Sequence, residues 1–281
     1  MSRIALYVCC HKESFVPENE LLIPIQVGAA LADRKFDGYA YDDGGENISS
    51  KNRSYCELTA QYWAWKNSDA EHLGFFHYRR YLYPDPQAKR PYRIESTPDA
   101  ALLERLGYSR FAELIERYDL IVPMSEDMFV SVREHYDTAP FHRAEDLARM
   151  EQIVREMNPD SADAMETYLS GTKQVFGNIF IMRREVFDRY CAWLFPLLEE
   201  FDRRTDTSAC SAQEKRVDGY LAERLLGVFC TQYRKEFRTL ELPRVHFDAM
   251  EGKPDCKKRL LYALLPPGTK RRAAVKKQKR D

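Results

Sequence analysis

Residues 74–84, GFFHYRRYLYP, open as a buried strand and then set His77, Arg79 and Arg80 among tyrosines. Two guanidiniums where a strand leaves the core call for an anion. Their planar forks match phosphate oxygens bidentately, and Tyr78 and Tyr81 beside them offer faces for a base or a sugar. On an extended segment Tyr78 and Arg80 fall on one side and Arg79 and Tyr81 on the other, so one arginine can meet ligand while the other pairs with a carboxylate. His77 reads either as a phosphate donor or as a structural histidine satisfied by the backbone.

Two more stretches carry chemical groups. In DDGGENISSKN, residues 42–52, Asp42 and Asp43 precede two glycines, where they hold a ribose, a base or a metal, or simply shape a turn. Asn47, Ser49 and Asn52 add donors for the same ligand. Just beyond, Ser54 and Glu57 have the S-x-x-E spacing of a capping box, which assigns Glu57 a structural role at a helix start. In QEKRVDGYLAERLL, residues 213–226, helical spacing puts Arg216, Tyr220 and Glu223 on one face beside an apolar stripe of Val217, Leu221, Leu225 and Val228. Glu223 is then a base held by Arg216, or half of an intrahelical ion pair. Asp218, near the helix start, complements the dipole.

The elements that must position these groups alternate. Residues 4–10, IALYVCC, read as a central parallel strand ending at His11-Lys12. Residues 25–32 read as a short helix, 37–41 as a second strand, 55–67 as a helix and 72–77 as a third strand. A helix over 99–117, a strand over 119–123, helices between 144 and 169, a strand over 175–182 and helices over 184–203 and 213–230 complete the body. Tyr55, Leu58, Thr59, Tyr62, Trp63 and Lys66 share one face of the helix over 55–67, a stripe better suited to core than to substrate. The pattern predicts an α/β fold, a mostly parallel central sheet with helices on both faces. In such sheets ligands bind at the carboxyl ends of the strands. His11-Lys12, Asp42-Asp43 and His77 to Arg80 all stand at strand ends.

The chain has 281 residues, 44% of them hydrophobic, enough for one large core. Its seven cysteines are scattered without a C-x-x-C pair, which suggests neither a disulfide framework nor a zinc site and fits a reducing cytoplasm. No apolar run reaches bilayer-crossing length, and the start lacks an export leader's pattern. From Lys253 to Asp281 eleven Lys or Arg face two Asp, a net +9 that leaves −10 on the rest. We therefore divide the chain into a body, 1–252, and a basic tail, 253–281. With Leu260, Leu261, Tyr262, Leu264 and Leu265 the tail suits an anionic membrane surface, placing the protein peripherally on the inner face of the plasma membrane; a solvated, disordered tail is the alternative. The acidic body argues against nucleic acid, and no phosphate-binding P-loop is present.

YVCCHK, IPIQVGAAL, DDGGENISSKNRSYCELTAQYWAWKN, LGFFHYRRYL, GNIFIMRREVFDRYCAWLF and RVDGYLAERLL, in this order, resemble the signature blocks of a bacterial polysaccharide-biosynthesis family catalogued as domain of unknown function 4422. The resemblance runs from residue 7 to about 226. It implies a GT-A-like glycosyltransferase acting in capsule, O-antigen or exopolysaccharide synthesis, with some relatives using UDP-galactofuranose and inverting the anomeric centre. It also implies a nucleotide-sugar donor and a glycan or lipid-linked acceptor; the strand-end and loop groups Tyr7, His11, Lys12, Asp42, Asp43, Asn47, Asn52, His77, Tyr78, Arg79 and Arg80 are where that donor is expected. Glu223 is the implied base, with Asp218 second. The Asp-x-Asp metal motif of most GT-A enzymes is missing, so His77, Arg79 and Arg80 are expected to neutralise the diphosphate; the competing arrangement holds Mn²⁺ or Mg²⁺ through Asp42, Asp43 or His77. Two other classes stay open: a non-catalytic scaffold recruited to membranes by the tail, and another nucleotide-dependent transferase.

Overall fold

IALYVCC is apolar at every position because both faces of its strand are covered. Ala5, Tyr7 and Cys9 enter one core, Leu6, Val8 and Cys10 a second, as the period-two alternation of a strand requires. The computed structural model describes residues 3–249 and, beyond them, 260, 264, 265, 269 and 270. Those five positions apart, the basic tail, its membrane-surface reading and the boundary at 252 lie outside the described residues.

The strands are β1 (Ile4–Cys10), β2 (Leu22–Gln26), β3 (Ala40–Tyr41), β4 (His72–His77), β5 (Arg80–Leu82), β6 (Tyr92–Glu95), β7 (Leu120–Pro123), β8 (Glu126–Asp127), β9 (Lys173–Gln174), β10 (Phe180–Arg183), β11 (Thr239–Leu242) and β12 (Arg244–Phe247). The helices are α1 (Asn52–Tyr55), α2 (Leu58–Asn67), α3 (Ala100–Arg105), α4 (Phe111–Ile115), α5 (Val132–Asp137), α6 (Ala144–Met157), α7 (Ala162–Ser170), α8 (Arg184–Arg204) and α9 (Val217–Gln232). The main sheet runs β11-β7-β10-β4-β1-β2-β3. All neighbours are parallel except β10, which is antiparallel to both β4 and β7. The mixed, mostly parallel α/β architecture read from the alternation of elements is the one observed.

One face of the sheet packs on α2 and α5 to α9, where Phe75, Phe180, Phe187, Tyr190 and Phe229 are fully buried. The other is closed by α3 and α4 together with Tyr81, Leu82, Val245 and Phe247 from β5 and β12. Each such side chain contributes about 1.5–3 kcal/mol of burial free energy.

Several sequence expectations give way locally. Residues 25–32 are not a helix. Leu22–Gln26 pairs in parallel with β1, and only Ala29–Leu31 forms a 3-10 turn; a short apolar run has no period of its own to separate strand from helix. The strand over 37–41 shrinks to Ala40–Tyr41. The helix over 55–67 is two helices broken at Cys56, whose φ is +52°, and that over 99–117 breaks at Gly107, φ +86°. Of residues 175–182 only the last three join the ladder. Gly177, at φ +80°, turns the chain beforehand.

The capping box does not form. Ser54 Oγ bonds Asp218 Oδ2, Glu57 accepts from Asn178, and α2 has no side-chain cap. Nor does alternation hold through HYRRY. β4 turns into β5 at Tyr78-Arg79 with His77 opposite Arg80, and Tyr78 and Tyr81 are both buried. β12 flanks this hairpin, pairing His246 with Arg80 while Phe247 N donates to Arg79 O at 2.9 Å.

Candidate functional site

The carboxyl ends of β1 and β4, the break between α1 and α2, and the start of α9 meet around one cleft. Its wider part, 560 Å³, falls within the usual size of a small-molecule site. His11, Asn52, Arg53 and Lys215 line it. A narrow part of 70 Å³ continues inward between Arg79, Arg80, Asn178, Tyr220 and Glu223. Cys56, Glu57, His77 and Arg216 line both. A larger hollow of 660 Å³ lies apart, under residues 13–19, and its lining includes two acids, Glu13 and Glu18, and no basic side chain. The chemistry converges on the cleft, not there.

Local backbone explains how these residues arrive together. β1 and β4 are adjacent and parallel with Cys9 level with His77, so His11 and His77 emerge side by side, rings 6.2 Å apart. The tight hairpin brings Arg79 and Arg80 to the same rim. Arg216 precedes α9; its Nε donates to Cys56 Sγ at 3.3 Å and its guanidinium lies 5.8 Å from the Tyr220 ring centre. Tyr220 stacks in turn on His142 at 4.1 Å.

The electrostatics favour an anion. His77 is pushed well below its ordinary pKa by burial and then by Arg80 and Arg79; His11 is lowered by burial, with Lys12, Arg216 and Arg79 adding to it. Both imidazoles are therefore neutral near pH 7. Arg79 N meets His77 Nδ1 at 3.5 Å, which puts the ring proton on Nε2 as a donor. At the narrow end, burial raises the Glu223 carboxyl, Arg224 offsets part of that rise and Glu57 adds to it. Glu223 Oε1 accepts from Gly177 N at 3.1 Å and Oε2 from Arg224 Nη1 at 3.0 Å. Its partner is thus Arg224, next to it in sequence, and not Arg216.

Other candidates read from the sequence lie elsewhere. Asp42 is fully buried: its carboxylate accepts from Gly28 N at 2.8 Å, Ala29 N at 2.9 Å and Ser49 Oγ at 2.5 Å. Asp43 pairs with Lys35, and Asn47 bonds the backbone carbonyls of Asp43 and Gly45. Tyr7 is a core residue stacked on Phe75, with its hydroxyl on Ser68. Tyr78 is buried beneath Lys12, whose Nζ lies 5.2 Å from its ring centre. None of these lines the cleft. Asn52 does, while its Nδ2 bonds Cys56 O at 2.7 Å.

Asp218 also lies apart from the cleft. It is completely buried under α1, where Ser54 donates to it; burial pushes its carboxyl up to about 7, and Asp202 adds to the rise. It does not border the cleft. Conversely, Glu57, Arg216 and Asn178 do, and the sequence had given Glu57 only a capping role and Asn178 none. Of the alternative metal ligands, His77 lines the cleft, while Asp42 is engaged by backbone amides and Asp43 by Lys35. Among the described residues no three His, Cys, Asp or Glu side chains form a metal-binding group. None of the described helices is long and apolar enough to cross a membrane.

The model of the family described as domain of unknown function (DUF4422) matches residues 5–235. Among solved structures, the apo form of the bifunctional glycosyltransferase WbbM superposes with a TM-score of 0.82 at 28% identity, covering 88% of this chain. The chain spans 45% of that protein's length. No curated protein matches it.

Proposed function

Because the chain belongs to the DUF4422 family, whose fold it shares with a glycosyltransferase, we propose that it is itself a glycosyltransferase, moving a sugar from a nucleotide-diphosphate donor to a glycan or lipid-linked acceptor. One observation carries the reading. Arg79, Arg80, Arg216 and neutral His77 meet Glu57 and Glu223 in one cleft at the carboxyl ends of parallel strands. A diphosphate leaving group needs concentrated positive charge, and the acceptor hydroxyl needs a carboxylate base.

The nucleotide occupies the wider part, with its diphosphate against Arg216 and His77 and within reach of the Arg79-Arg80 wall. The acceptor oxygen attacks the anomeric carbon in line from the narrow end, giving its proton to Glu223 while the diphosphate departs. The raised pKa of Glu223 suits a base. Configuration inverts. The donor is a UDP-sugar, with UDP-galactofuranose the first to try, and the product belongs to capsule, O-antigen or exopolysaccharide synthesis at the cytoplasmic face of the membrane.

Incubation with UDP and a panel of UDP-sugars tests this. Thermal stabilisation by UDP and slow hydrolysis of one donor are expected. No response to any nucleotide would make the protein a scaffold instead. Loss of activity in EDTA with recovery in Mn²⁺ would refute charge neutralisation by side chains alone.

A further inference from the structure

The geometry points to Glu57 as a further catalytic residue, a carboxylate held against the carbon that is transferred; the inference rests on the glycosyl-transfer reading above. Glu57 stands with Arg216 and His77 in the short section common to both parts of the cleft. A donor with its nucleotide in the wider part and its reacting end at the narrow one has its breaking bond in that section. There the bond between the anomeric carbon and the phosphate oxygen parts with its electron pair on the phosphate. Positive charge grows on the sugar, the acceptor oxygen forms the new bond, and its proton passes to Glu223. An arginine beside the departing oxygen and a carboxylate beside the sugar stabilise the two opposite charges as they form.

The protein holds Glu57 for such a task. Cys56 keeps a left-handed φ of +52° without being glycine, and this strained turn between α1 and α2 sets residues 56 and 57 both at the cleft wall. Asn178 Nδ2 donates to Glu57 Oε1 at 2.8 Å and also to Gly219 O at 3.1 Å; two acceptors on one nitrogen settle the amide's orientation. Gln61 Nε2, bonded to Asn178 O at 3.1 Å, fixes the segment from behind. One Glu57 oxygen is thereby anchored. The other makes no hydrogen bond among the described residues, so it is available to a hydroxyl of the sugar. Glu223, in contrast, has both oxygens engaged by the protein and lines only the narrow part.

The test compares Glu57→Gln with the wild-type full chain for UDP affinity, turnover and acceptor-free donor hydrolysis. Glutamine keeps an oxygen for Asn178 and removes only the charge. Turnover and hydrolysis should both fall by at least about 10²-fold, with UDP affinity kept within about threefold. Asn178→Ala, which frees the carboxylate, should lower turnover in the same direction while leaving UDP binding intact. Near-normal turnover by Glu57→Gln would overturn the inference and leave the glycosyl-transfer reading standing. Parallel loss of UDP binding and turnover would overturn it too, by making Glu57 a ground-state binding group. If Glu57→Gln does not fold, Glu57→Asp, which withdraws the same charge by one methylene, is decisive: reduced turnover at unchanged UDP affinity supports the role and wild-type turnover refutes it. A wild type that binds no nucleotide overturns both readings together.

Discussion

Replacing Arg216 by alanine isolates the diphosphate grip from the fold. Its closest side-chain contacts are with Cys56 Sγ at 3.3 Å and the Tyr220 ring at 5.8 Å, both uncharged in the thiol and phenol forms, and the carboxylate its charge also acts on, Glu57, is only half-buried. Burial keeps the Cys56 thiol protonated, its pKa pushed up to about 12. Removing the guanidinium therefore strands no buried carboxylate, and the melting temperature should change little. Binding is another matter. A hydrogen bond to a charged group is worth about 1.5–3 kcal/mol, which at about 1.4 kcal/mol per decade weakens UDP by about 10–150-fold. Titration calorimetry with UDP, UMP and uridine at fixed salt reads this directly, because uridine lacks the groups Arg216 holds and should be spared. Arg216→Lys should recover only part of the loss, since an ammonium lacks the planar fork. A second readout comes from the neighbouring imidazoles. Arg216 is among the charges that lower His11 and His77, so both should titrate at higher pH in Arg216→Ala, as nuclear magnetic resonance can follow. UDP affinity within about twofold of wild type would refute the placement of the diphosphate.

Two further substitutions test the scaffold. A methyl group at Gly227 would lie 1.9 Å from Tyr168 Cζ, so Gly227→Ala must displace a buried ring whose hydroxyl accepts from Val175 N; a loss of about 1–3 kcal/mol is expected, and an unchanged melting curve would argue against this packing of α7 on α9. Asp218 has a folded pKa of about 7, above the roughly 3.9 of an unfolded aspartate, so its own contribution to stability is fully present below about pH 4 and declines as pH rises towards 7. Asp218→Asn does not titrate. Its stability relative to wild type should grow from pH 4 to 7, and thermal melts showing a difference constant over that range would contradict the burial described.

Where the sequence was legible, the reason is periodicity. Continuous apolar runs marked β1 and β4, and helical spacing marked α9, because burial on both faces or along one stripe leaves its signature residue by residue. β2 was misread because five residues around a proline carry no period. The candidate cleft was legible as far as strand ends: His11, His77, Arg79 and Arg80 all line it. Asp42 did not, since a carboxylate before two glycines looks alike whether it meets a ligand or, as here, the amides of Gly28 and Ala29. Glu57 was hidden behind the local logic of a capping box, and only the positive φ at Cys56, which no residue type announces, turns it inward. Asn178 escaped because β10 runs against its neighbours, so the cleft receives the residues leading into that strand instead of those leaving it.

The bracing of the arginine hairpin by β12 has a consequence for biogenesis. Arg79 and Arg80 leave the ribosome well before the strand beside them, which spans Arg244–Phe247. At about 5–20 residues per second, the hairpin waits on the order of ten seconds with one edge, and the apolar side chains of Tyr81 and Leu82, uncovered. Such an open edge is a template for aberrant pairing in the nascent chain. The family match ends at 235, short of both β11 and β12. Expression of residues 5–235 alone would make that interim state permanent, so the polypeptide released should be prone to aggregation, and its arginine wall would lack its backing.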